Sequence, residues 1–229
     1  MEGLSQGLVS LMACCANTVK PRGLGILIAC RPDKPYGDRH PEGWEERVVA
    51  VARDGQTALT RWLQSALSPG SEQPAPPPLA LEKLIGLGPG LTPAGDDFLG
   101  GAMIALHALG YPALAAPLAG RILERAPHRT SLISRAHLGC AARGEGAEAL
   151  HDLLAALCAS ASTPLALALR ALDAIGHTSG WDALAGAVTV CSALTDAHWG
   201  AAAPQVASRG KPSRAAMEGN GSRLTSHRA

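Results

Sequence analysis

The chain has 229 residues, a formal net charge of +1, and 47% hydrophobic against 17% charged residues. That balance excludes a wholly disordered chain and supplies no whole-chain basic field of the kind nucleic-acid binding uses. Aromatic residues make up only 3%, beside 26 Gly and 17 Pro, so base-stacking platforms and aromatic cages are poorly supplied and the core must be built from Ala, Leu, Val and Ile.

In chain order, residues 1–70 read as a small α/β part. Leu11-Met12-Ala13-Cys14 loosely resembles a lipoprotein cleavage box, but Glu2 precedes it and no Lys or Arg does, so export is not expected. Leu24 to Cys30 (LGILIAC) is a short apolar run that predicts a buried strand. Arg31 to Gly43 is loop-like, with three prolines and two glycines. Glu46 to Arg53 (ERVVAVAR) reads as a second strand or the start of a helix. In Thr57 to Leu67, the residues Leu59, Trp62, Leu63, Ala66 and Leu67 share one helical face. Residues 71–78 close a proline-rich linker whose composition favours extended polyproline geometry.

Residues 79–203 are almost entirely helical in pattern, with segments at 79–86, 93–109, 112–126, 130–143, 146–160, 163–175 and 179–197. Gly110 stops one helix and Pro112 opens the next, while Ser162 or Thr163 followed by Pro164 reads as a cap with proline at the first helical position. Residues 204–229 carry Arg209, Lys211, Arg214, Arg223 and Arg228 against one acid, Glu218, and read as a disordered basic tail. The expected fold class is α+β, predominantly α: a helical C-terminal bundle beside a small β-containing N-terminal part. The six cysteines form no C-x-x-C pair and several sit in apolar runs. They read as small hydrophobes in a reducing cytoplasm. No stretch approaches ~18 uninterrupted apolar residues, so no membrane span is expected.

Glycine concentrates at one helix entrance, Gly86-Leu87-Gly88-Pro89-Gly90-Leu91-Thr92-Pro93-Ala94-Gly95-Asp96-Asp97-Phe98-Leu99-Gly100-Gly101. It is neither a P-loop nor a dinucleotide fingerprint. With Thr92 as cap and Pro93 at the first helical position, bare backbone N–H groups make an anion site, to which Gly88 and Gly90 would contribute. Counting from that cap puts Asp96 on the face of the Thr92 hydroxyl and Asp97 about 100° away. Two carboxylates suit a bridging Mg²⁺, or hydrogen bonds from an amide NH₂. The plainer reading is that they complement the helix dipole.

A second entrance matches the first. Gly95-Asp96-Asp97-Phe98-Leu99-Gly100-Gly101 and Gly180-Trp181-Asp182-Ala183-Leu184-Ala185-Gly186 share G-x-D-x-L-x-G. Two helix starts of one design suggest one site facing both, or merely a common way to begin an Ala/Gly-rich helix. Before the second lie His177, Thr178 and Ser179. His177 reads either as a general acid/base or as a structural hydrogen-bonding residue. A third stretch, Arg129-Thr130-Ser131-Leu132-Ile133-Ser134-Arg135, opens another helix with hydroxyls and guanidiniums suited to a carboxylate or phosphate. Its plainer reading is a cap followed by a solvated face.

These stretches, GLGPGLTPAGDDFLGG, RTSLISRAHLGCAARGEG and IGHTSGWDALAG in that order, resemble the AllH family, the oxamate carbamoyltransferase subunit family of bacterial allantoin and purine breakdown. Ala94 stands where that family usually has Ser, and Thr178 where Ser is common. The resemblance implies a cytoplasmic subunit that works with FdrA-like and AllG-like subunits. The family reaction interconverts oxalurate plus phosphate with oxamate plus carbamoyl phosphate. The candidate catalytic residues are Asp96, Asp97 and His177. The candidate substrate-binding residues are Gly88, Gly90, Thr92, Arg129, Thr130, Ser131, Thr178, Ser179 and Asp182. Two other readings stand beside this one: a non-catalytic assembly subunit, and a Mg²⁺-dependent hydrolase using the Asp pair.

Overall fold

The computed structural model describes residues 1–17, 19–29, 43–68 and 75–202. Of the sequence expectations, most of the 31–43 loop, part of the proline-rich linker and the 204–229 tail lie outside these residues. Nine α-helices run along the described chain: α1 (Glu2–Asn17), α2 (Ile26–Ala29), α3 (Trp44–Ala66), α4 (Ala94–Ala108), α5 (Pro112–Arg125), α6 (Leu132–Ala141), α7 (Glu148–Ala159), α8 (Ser162–Asp173) and α9 (Ser179–Ala202). Short 3₁₀ turns at Gly23–Gly25, Leu79–Leu84 and Ala126–His128 join them.

No strand occurs among the described residues, so the expectation of a β-containing N-terminal part is corrected: the protein is all-helical there. Within the run LGILIAC, residues 24–29 form the end of a 3₁₀ turn and the short α2, burying Leu24, Leu27 and Ile28. Their i, i+3, i+4 spacing is helical, and a run this short does not distinguish a strand from a helix by periodicity. Glu46 to Arg53 belongs to α3, whose first turn carries Glu45 and Glu46. Acids there favour the positive end of the helix dipole. Val49, Ala52, Leu59 and Leu63 are buried along the same helix, and that three-to-four spacing outweighs the β-branched run. In α1, Leu4, Leu8, Leu11 and Cys15 form a buried stripe.

The core is organised around α4 and α9. Phe98, Leu99, Ala102, Met103, Ala105 and Leu106 are all fully buried in α4, as are Leu184, Ala187, Val190, Cys191 and Ala193 in α9. A helix apolar on every side must be wrapped by others; α3 and α1 pack on α9, and α5 and α6 pack on α4. The two central helices meet at glycine. A Cβ on Gly101 would run into the carbonyl oxygen of Ala183, and one on Gly186 into that of Phe98. Both glycines end a G-x-D-x-L-x-G motif, and each sits against the fourth residue of the other motif. The low aromatic content follows, since backbones this close leave little space for rings.

Candidate functional site

Helix α4 begins one residue later than expected. Its cap is Pro93, with extended backbone and no side-chain cap bond, so Thr92 lies off the helix. The face count from Thr92 is therefore corrected, and the two carboxylates exchange surroundings.

Asp96 is buried and turned toward the start of α6. Its Oδ1 accepts the backbone N–H of Gly86 at 2.9 Å, and its Oδ2 accepts the hydroxyls of Thr130 and of Ser134, the latter at 2.7 Å. Both carboxylate oxygens are thus occupied by the protein. Ser131 caps α6: its hydroxyl accepts the N–H of Ser134 at 3.0 Å and donates to the carbonyl of Leu91 at 2.6 Å. This network joins the glycine-rich loop to α6. Gly86 sits in the left-handed region at φ 74°, against the carbonyl of Arg129. Gly88 and Gly90 have φ of 100° and 102°, where side chains are strained; they shape the loop and do not line the cleft.

Asp97 turns the other way, toward Thr92 and the start of α9. The hydroxyls of Thr92 and Ser179 approach each other to 3.1 Å across the two entrances, and both lie beside Asp97, where they favour its charged form. Its Oδ2 is buried with no hydrogen-bond partner. Burial pushes its pKa up to about 7, with the charges of Asp182 and Asp96 adding to the rise and the two hydroxyls opposing it. A carboxyl so placed exchanges its proton near neutral pH.

Thr92, Asp97 and Ser179 line a cleft of about 560 Å³, together with Gly100 and Gly101 of α4, Ser134 and Leu138 of α6, and Gly180 and Ala183 of α9. Ile104, Leu150, Leu172 and Ile175 make much of its apolar wall. His137, Cys140 and Glu145 also line it, none of which the motif reading singled out. The signal for the first two was their i, i+3 spacing on α6, which places both on one face.

The other candidates lie elsewhere. Asp182 is buried, and its Oδ1 accepts the backbone N–H of Leu24 at 2.6 Å. Burial raises its pKa to about 6, against the hydrogen bonds from Leu24 and Thr178. It holds the 3₁₀ turn at Gly23–Gly25 onto α9, helped by Arg22, which pairs with Asp173 at 2.7 Å. Trp181 donates to the same Asp173 oxygen at 2.6 Å. Arg129 is exposed and donates to the backbone carbonyl of Glu82 at 2.9 Å. Glu82, which motif reading also missed, pairs through its carboxylate with Arg121 at 2.9 Å and Arg125 at 3.6 Å. His177 is exposed and, with Thr178, Arg129, Thr130 and Ser131, does not line the cleft.

The Asp pair does not fit a shared Mg²⁺. Asp96 has spent both oxygens and Asp97 faces the opposite entrance, and among the described residues no group of three or more His, Cys, Asp or Glu converges. Cys15 and Cys191 are buried, with thiols pushed up to about 12 by burial, as expected of cysteines that pack as hydrophobes. Among the described residues, no helix is long and apolar enough to cross a membrane.

Fold and site together define, over the described residues, a helical bundle with the Asp97 carboxyl in a cleft beside two glycine-packed helices. Residues 84–191 match the family model described as "Oxamate carbamoyltransferase subunit AllH", the family that the three motifs resemble. The family name is that of a subunit of oxamate carbamoyltransferase. No curated protein and no solved structure matches the chain.

Proposed function

We propose that this chain is the subunit of a carbamoyltransferase complex that binds the amide-bearing substrate, and that Asp97 handles its nitrogen. The reaction is oxalurate plus phosphate to oxamate plus carbamoyl phosphate, and the reverse, in purine and allantoin breakdown. The observation that carries this reading is Asp97: a carboxyl with one buried, unpartnered oxygen, beside the Thr92 and Ser179 hydroxyls in the cleft of the AllH-family segment. An acceptor left unpaired in that way costs free energy that a donor such as an amide N–H recovers.

In the forward direction, a phosphate oxygen attacks the terminal ureido carbon of oxalurate. The bond from that carbon to the oxamate nitrogen breaks. The proton carried by phosphate ends on that nitrogen, giving the oxamate amide and carbamoyl phosphate with charge conserved. Asp97 relays this proton, donating in the forward direction and accepting in reverse, as its near-neutral pKa suits. Thr92 and Ser179 orient the carboxyl. FdrA-like and AllG-like subunits are the partners this reading requires.

Calorimetry tests the binding step. The full chain should bind oxamate or oxalurate, and Asp97→Asn should weaken binding by about tenfold or more, the loss of a charge-assisted hydrogen bond. Equal binding by both proteins contradicts the role given to Asp97.

A second reading, an assembly subunit, is favoured by one observation. Leu91 and Leu132 are 68% and 73% exposed, with Ile133 beside them, and Ser131 ties the two segments together. Partner docking there is compatible with catalysis at Asp97, and binding without any effect of Asp97→Asn on turnover would select assembly alone.

A further inference from the structure

The cleft is larger and more apolar than oxamate requires. At about 560 Å³ it falls within the ~300–1,000 Å³ of clefts that enclose drug-sized ligands. Beyond the Thr92, Asp97 and Ser179 group, Ile104, Leu138, Leu150, Leu172 and Ile175 give it an aliphatic wall, with His137, Cys140 and Glu145 on its α6 side. Oxamate and oxalurate are polar throughout and would leave that wall in contact with water. Leaving apolar surface wet forfeits the binding free energy its burial provides.

We propose that the cleft has an apolar subsite continuous with the Asp97 end, and that it takes ureido- or amide-headed small molecules carrying an aliphatic body. The N–H groups of the head donate to Asp97, and the body covers Ile104, Leu150, Leu172 and Ile175. This rests on the reading that Asp97 receives an amide. It adds that the range of ligands extends beyond the two-carbon acids. Selectivity among such heads then comes from the carboxyl, and affinity from the wall.

A series of N-alkylureas, methylurea through hexylurea, tests this by calorimetry on the full chain, with oxamate measured alongside. Each added methylene should tighten binding by about fourfold until the wall is covered. Ile175→Ser replaces a half-buried wall residue and should flatten that slope while leaving oxamate binding unchanged. Asp97→Asn should weaken every urea by a similar factor and leave the slope in place. If oxamate binds but hexylurea binds no better than methylurea, the apolar subsite is wrong and the role of Asp97 stands. If long ureas bind with the expected slope and Asp97→Asn changes nothing, the subsite stands without its polar anchor and the proposed pairing is overturned. If neither oxamate nor any urea binds, both readings fall.

Discussion

Helices α4 and α9 begin with the same G-x-D-x-L-x-G pattern and are used differently. In α9 the motif carboxyl, Asp182, accepts the backbone N–H of Leu24 and fastens the Gly23–Gly25 turn to the bundle. In α4 the corresponding carboxyl, Asp97, lies beside two hydroxyls and lines the cleft, which Asp182 does not; each of the two carboxyls keeps one buried oxygen, Oδ2, without a partner. The glycines at the ends of both motifs do one shared job, letting the two backbones touch. A motif repeated within a chain therefore states a packing rule in both copies. Its polar residue becomes a candidate for chemistry only in the copy that opens on a cleft.

The packing half of the comparison should break most severely. Gly101→Ala and Gly186→Ala each push a methyl into a backbone carbonyl and should each cost about 1–3 kcal/mol in urea unfolding. Gly120→Ala, on the exposed side of α5 with nothing near its added Cβ, should instead stabilise by about 0.5–1 kcal/mol through helix propensity. A loss at Gly120 as large as at Gly101 would run against helix propensity and show that the close α4–α9 contact is not what makes alanine costly at Gly101 and Gly186.

The carboxyls should separate in activity. In the reconstituted complex Asp97→Asn should lower turnover by about 100-fold or more, the scale of a lost acid/base group, with the helical circular-dichroism signal kept. Asp182→Asn retains an oxygen that can accept from Leu24, and should leave turnover within about threefold of wild type. Equal losses would make both carboxyls structural or both functional.

The smallest expected effect is on pH-dependent stability. Asp97 and Asp182 have folded pKa values of about 7 and about 6, above the ordinary 3.8. The folded state therefore holds more protons than the unfolded chain between about pH 4 and 7, and stability falls as pH rises through that window. Asp96, Asp182 and the cleft residues His137, Cys140 and Glu145 are the ionisable groups around Asp97. Asp97→Asn should flatten the decline and be the more stable protein at pH 8, by on the order of 1–2 kcal/mol, in parallel denaturation series.

Much of the helical half was legible in the sequence. Gly110, Pro112 and the glycines at 144 and 146 mark real boundaries, and the segments expected from 93 to 197 correspond to α4 through α9. The expected 79–86 segment is a 3₁₀ helix at Leu79–Leu84. The α8 start differs slightly, because Ala161 is the cap and Pro164 falls inside the first turn. The N-terminal part was misread because a seven-residue apolar run has no periodicity long enough to exclude a strand. At the site, Thr92, Asp97 and Ser179 do meet, as two matched entrances suggested. A one-residue shift of the α4 cap was enough to exchange the surroundings of Asp96 and Asp97, and no local pattern fixes a cap that closely. Arg129 and Asp182 found partners far away in sequence, Glu82 and Leu24, which spacing within a motif does not reveal.

The asymmetry of the two carboxyls is measured most directly by following the Asp97 and Asp182 carboxyl carbons by ¹³C NMR across pH, with and without oxamate. The expected result is that Asp97 titrates near pH 7 in the free protein and moves on adding oxamate, while Asp182 keeps its titration unchanged. An Asp97 resonance indifferent to oxamate, or an Asp182 resonance that responds in its place, would contradict the assignment of the open carboxyl to α4.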